Sequence, residues 1–117
     1  MKISSLALAA VLGCAATVAC AHAKLEASEP KASSVLAQAP QRIRLQFNEA
    51  IEPAFSKVAL MNVQGTEIAV KAIPDNDNHK ALAVALPALR PGEYRVHWTA
   101  MGHDGHKTKG EFSFTVK

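Results

Sequence analysis

Cysteine is nearly absent: Cys14 and Cys20 are the only two, and both stand in the first twenty residues. From residue 21 onward there is no thiol, which excludes disulfide staples and thiolate metal centres from that part of the chain. Methionine is scarce too, with Met61 and Met101 the only ones after the initiator, so a thioether-rich soft-metal site is excluded. Aromatic residues make up 5% of the 117 positions, too few for an extended sugar-binding platform. Lys and Arg are scattered rather than clustered, and the formal charge of +3 leaves no nucleic-acid footprint. No repeat, low-complexity tract or internal linker interrupts the chain after its first twenty residues, and the length suits one domain.

What is present begins with an export pattern. Lys2 supplies a positive start, Ile3 to Val18 is apolar apart from small Ser, Thr and Gly residues, and Ala19-Cys20-Ala21 forms an A-x-A site. This is a secretory signal peptide, too short and too weakly flanked for a membrane span. The expected cut after Ala21 leaves residues 22–117 as the domain, with His22 first, and losing Lys2 takes the charge from +3 to +2. Two other cuts are readable. Ala21-His22-Ala23 is a second A-x-A, whose use would discard the histidine, and Val11-Leu12-Gly13-Cys14 approximates a lipoprotein box that Leu12 fits poorly.

The domain has a period of two. Ile43, Leu45 and Phe47 alternate with Arg42, Arg44 and Gln46; Tyr94, Val96 and Trp98 with Arg95, His97 and Thr99; Phe112, Phe114 and Val116 with Glu111, Ser113 and Thr115. Less regular strands are expected near 24–28, 56–62, 66–72 and 80–86. Ala39-Pro40, Gln64-Gly65, Pro74 to Asn78 and Arg90-Pro91-Gly92 separate them. About seven short strands so spaced predict an all-β Greek-key sandwich or barrel, with Trp98 anchoring the core against Phe47, Phe112 and Phe114.

The chemical resource is histidine, of which there are five. Asp104 and His106 lie in the loop Met101-Gly102-His103-Asp104-Gly105-His106-Lys107, where Gly102 and Gly105 permit a tight turn and a close backbone approach. Two apart, they leave an extended segment on the same side and can grip one cation. A free N-terminal His22 adds an α-amine and an imidazole Nδ1 that close a chelate ring. Three nitrogens and one oxygen suit tetragonal Cu(II), which heads the divalent affinity order.

Blander roles are open to each of these residues. An Asp-Gly-His loop is often a solvated turn, and a histidine after a cleavage signal is often accidental. His97 alternates with the core face and reads as a surface residue, and His79 lies in a polar turn. His103 neighbours the candidate ligands and is a weaker candidate itself. Glu49 follows a strand and is either an ordinary strand-end acid or a group that orients an imidazole or the terminal amine.

Taken together, these segments resemble the copper resistance protein C (CopC) family over essentially the whole domain. The resemblance rests on His22-Ala23-Lys24-Leu25 with Ser28-Glu29-Pro30, on Ile43 to Glu49, on Leu89 to Trp98, and on Asp104-Gly105-His106 followed by Gly110. It implies a cupredoxin-like Greek-key β-barrel in the periplasm that binds and ferries copper. The implied ligands are the amine and ring of His22 with Asp104 and His106, and Glu49 nearby. Some members carry a Met-rich Cu(I) loop in mid-chain; residues 69–79 here contain no methionine, which resembles the Cu(II)-only type. The resemblance also favours the cut after Ala21. The partners to be expected are the copper ion and an inner-membrane copper transporter of the CopD type, with the protein itself a monomer.

The expectation is therefore a carrier or buffer for one Cu(II) ion, without turnover. A rival is an oxidative enzyme of the histidine-brace kind, as in polysaccharide monooxygenases. Against it stand the short chain and an Asp104 that fills a position oxygen activation needs open. A third reading is an adhesive sandwich without metal.

Overall fold

A computed structural model describes residues 22–117. The expected signal peptide and its cut after Ala21 lie outside the described residues. Among the described residues nine strands follow one another: β1 (Leu25–Glu29), β2 (Ser34–Leu36), β3 (Arg42–Phe47), β4 (Lys57–Asn62), β5 (Glu67–Ile68), β6 (Lys71–Ile73), β7 (Ala81–Ala85), β8 (Gly92–Met101) and β9 (Lys107–Val116). A 3-10 turn, Pro53–Phe55, precedes β4.

The strands form two sheets, ordered β1-β3-β7-β6 and β2-β9-β8-β4-β5. Pairing is antiparallel except for β2, which runs parallel to β9. Strands distant in sequence lie side by side, as Greek-key connections require. Among the described residues no strand of one sheet pairs with a strand of the other, so the molecule is a sandwich and not the closed barrel that the resemblance suggested.

Two differences raise the strand number above seven. The short β2 was not legible as a strand. The segment 66–72, which reads as one strand, is split: β5 pairs with β4 in the five-stranded sheet, and after Ala69-Val70 the chain crosses to pair β6 with β7 in the other. Two and three residues are too few to show a period.

The alternating residues bury as expected. Ile43, Leu45 and Phe47 of β3 face Val58 and Leu60 of β4, Val96 and Trp98 of β8, and Phe114 and Val116 of β9 in one core. Trp98 packs edge-on against Phe47, with ring centroids 5.2 Å apart. Across the sheet Trp98 is paired with Gly110, where a Cβ would stand 2.6 Å from the indole Cζ2; only glycine leaves room for the ring. Tyr94 stacks on Phe114 and its hydroxyl donates to the Arg90 carbonyl at 2.6 Å, tying the turn before β8 to the core. The core ends at one rim, where β3 stops at Phe47 and the β8–β9 hairpin turns.

Candidate metal centre

The hairpin joining β8 to β9 is in register from Gly92–Val116 to Met101–Lys107, which leaves Gly102 to His106 as its loop. The Gly102 N–H donates to the His106 carbonyl at 3.1 Å and the Gly105 N–H to the Gly102 carbonyl at 3.0 Å. Gly105 has φ +83°, a conformation that costs glycine little. Within this turn the His106 N–H donates to Asp104 Oδ1 at 3.0 Å, and Asp104 Oδ2 faces His106 Nδ1 at 3.0 Å. The two side chains converge as the sequence suggested, but for a different reason: a side chain–backbone turn gathers them, not strand alternation.

His22 reaches the same place through its own neighbours. Ala23 is 1% exposed and its carbonyl accepts the Thr108 hydroxyl at 2.7 Å. The Lys24 N–H donates to Asn48 Oδ1 at 2.7 Å, and the Asn48 N–H donates to the Lys24 carbonyl at 3.0 Å. So held, His22 sets its ring edge-on to that of His106, centroids 4.9 Å apart at 80°.

Ligand atoms of His22, Asp104 and His106 all lie within 4.8 Å of one another. The His22 Nδ1 is buried and has no hydrogen-bond partner among the described residues. A buried polar atom left unpaired is uncommon and calls for a reason. A cation shared with Asp104 and His106 supplies one. The donor set, imidazoles and a carboxylate without sulfur, fits a borderline divalent ion such as Cu(II).

The electrostatics run the same way. His106 holds the Asp104 carboxyl below the usual carboxylate range, first through the ring hydrogen bond and then through the backbone one; positive charge on His106 and His22 adds to this. Asp104 is thus kept anionic and ready to receive a cation.

The remaining residues singled out in the sequence are spread more widely. Glu49 is half-buried, and its Oε1 is 2.5 Å from where a Gly102 Cβ would stand, with Asp104 Oδ1 3.1 Å from the same point. Both carboxylates therefore occupy the space that the missing side chain leaves. His103 is not brought to the group: its Nδ1 meets Glu52 Oε1, and both side chains are largely exposed. His97 pairs with Glu111 across the β8–β9 surface at 3.3 Å. His79 is exposed and contributes its carbonyl to the Ile51 N–H. A cleft of about 750 Å³ opens between β5 and β6, lined by Val58, Val70, Ile73 and Val84 among others, but by none of the three clustered residues.

Sequence reasoning passed over Asn48 and Thr108, which fasten the segment bearing His22. One signal for Thr108 was available, since it continues the inward series Phe112, Phe114, Val116 as a polar residue where an apolar one is expected. Nothing local marks Asn48.

Residues 25–117 match the family model described as a CopC domain. The chain is 40% identical over 101 residues to Protein YobA of Escherichia coli strain K12, covering 83% of this chain and 80% of that one. It is 35% identical over 107 residues to copper resistance protein C of Escherichia coli, covering 85% and 84%. The crystal structure of CopC from Methylosinus trichosporium OB3b superposes with a TM-score of 0.78 at 29% identity, over 82% of this chain and 94% of that chain.

Proposed function

Because this chain belongs to the CopC family, we propose that it is a periplasmic copper-handling protein that carries or buffers one Cu(II) ion. Removal of residues 1–21 as a signal peptide frees the α-amine of His22. That amine and the His22 Nδ1 then chelate the ion together with Asp104 and a ring nitrogen of His106. Glu49 stands beside the Asp104 carboxylate and orients the sphere rather than completing it.

The observation that carries this reading is the buried, unpartnered His22 Nδ1 beside the Asp104–His106 pair. His22 is also the residue that follows the A-x-A site, so one position is both the end that export exposes and the member of the cluster in need of a partner. The copper resistance protein among the relatives agrees with copper as cargo.

A carrier needs grip and no turnover. Asp104 adds an anionic oxygen that favours Cu(II) over Cu(I), so the site suits holding the cupric ion rather than cycling it. The protein acts as a monomer and exchanges its ion with an inner-membrane transporter of the CopD type.

Intact mass of the secreted protein, with and without one equivalent of Cu(II), tests the reading. The expected result is a chain starting at His22 that gains one copper. A chain starting at Lys24 that gains copper equally well would overturn it.

A further inference from the structure

Half of the proposed copper donors sit on a chain end, and chain ends are poorly ordered unless tied down. Two side chains tie this one, one from each sheet. Asn48, directly after β3, accepts the Lys24 N–H at its side-chain Oδ1 at 2.7 Å, while its backbone N–H donates to the Lys24 carbonyl at 3.0 Å. Thr108, in β9, donates its hydroxyl to the carbonyl of Ala23 at 2.7 Å. Ala23 lies buried between them.

Thr108 is out of keeping with its strand. The inward-facing positions of β9 are Thr108, Gly110, Phe112, Phe114 and Val116, all half-buried or buried, while Lys107, Lys109 and Glu111 are exposed. A valine would fill position 108 equally well if packing were the only requirement. The hydroxyl meets its need through a chain end more than eighty residues away in sequence. Thr108 also stands two residues after His106, so the hairpin that carries one ligand holds the segment that carries another.

The geometry points to Thr108 and Asn48 as positioning residues that dock the processed N-terminus across the rim and so set how tightly and how long His22 grips Cu(II). This rests on the proposed role of His22 as a ligand. Neither side chain belongs to the proposed ligand set. They act by holding the amine and ring at a high effective concentration over Asp104 and His106, so that these two donors bind without first ordering the chain. Without them the end detaches and the ion is left with two protein ligands.

The test uses the processed protein. Thr108→Val removes one clamp with little change of shape, and Asn48→Ala removes the side-chain bond of the other, on the opposite sheet, leaving its backbone bond in place. Each is expected to weaken Cu(II) about three- to tenfold in competition with a chelator, the yield of one lost hydrogen bond, and to speed copper release into excess chelator. Thr108→Ser and Asn48→Asp keep the oxygen and should restore wild-type values. An electron paramagnetic resonance spectrum should show a nitrogen-poor population growing in the two weakened variants.

A background with one extra residue before His22 separates a docking role from a purely structural one: there Thr108→Val should have no further effect on copper. Wild-type affinity and spectra in both Thr108→Val and Asn48→Ala, or an equal loss in the extended background, would overturn the clamp. If the extension leaves copper binding by the wild type untouched, the assignment of His22 as a ligand fails instead, and the clamp falls with it.

Discussion

Asp104 holds His106 twice, through an Oδ1 that accepts its backbone N–H at 3.0 Å and an Oδ2 that faces its ring Nδ1 at 3.0 Å. One carboxylate thus shapes the hairpin turn and aims the imidazole that turn carries. The pair is set by the hairpin turn itself, and the third member of the cluster, His22, comes from the distant start of the domain. Four expected outcomes follow from that division.

An extra residue before His22, such as a retained tag, converts its amine to an amide and removes a donor. Cu(II) affinity should fall as far as it does in His106→Ala. Both losses should exceed the roughly 10- to 100-fold seen when a group that merely supports a ligand is changed. Competition titration of the two proteins against one chelator checks this, and tight binding by the extended form would count against the ligand set.

Asp104 titrates below the ordinary carboxylate range, mainly because of its hydrogen bonds with His106. Its folded value is lowered, so it adds stability above the unfolded value of about 3.9 and loses that contribution as the pH falls further. In the metal-free protein, the difference in urea midpoint between wild type and Asp104→Asn should therefore be visible at pH 7 and shrink at pH 3. With Asp104 still anionic, loss of Cu(II) between about pH 6 and 4 should follow protons competing for the nitrogens, with references of about 8 for an amine and 6.5 for imidazole. A flat affinity over that range would mean that the nitrogens are not ligands.

Two glycines should fail in different ways. In Gly110→Ala the new methyl meets the buried Trp98 indole at 2.6 Å, a clash that should cost about 1–3 kcal/mol of stability with the copper spectrum unchanged. In Gly102→Ala the methyl meets the Glu49 and Asp104 carboxylates, which lie at the ends of side chains and can move. Stability should change little there while Cu(II) affinity drops about tenfold. Thermal unfolding and copper titration of both variants distinguish the two roles.

Histidine content by itself should not predict binding. His97 and His103 pair with Glu111 and Glu52 at the surface, and His79 is exposed in its turn. Alanine at each should leave Cu(II) affinity within about twofold and stability within about 1 kcal/mol. A large loss in His103→Ala would bring that residue back among the ligands.

Local pattern carried much of the architecture. Period-two alternation located β3, β8 and β9 and named the core around Phe47, Trp98 and Phe114, because burial on one face imprints a period that strands of six to ten residues display clearly. It was silent on β2 and on the split between β5 and β6, where the strands are shorter than the pattern needs and pairing decides the sheet.

For the site, the residue types and the export signal were enough to select His22, Asp104 and His106, since free imidazole, carboxylate and amine chemistry is a property of composition and processing. Their meeting is a property of the tertiary structure. It depends on a turn closed by the Asp104 side chain, on Gly102 leaving space for two carboxylates, and on Asn48 and Thr108 fastening the chain end from opposite sheets. Contacts of that kind join positions up to 85 residues apart in the sequence. No window on the sequence contains them, because hydrogen bonds form between neighbours in space and the fold alone decides which residues those are.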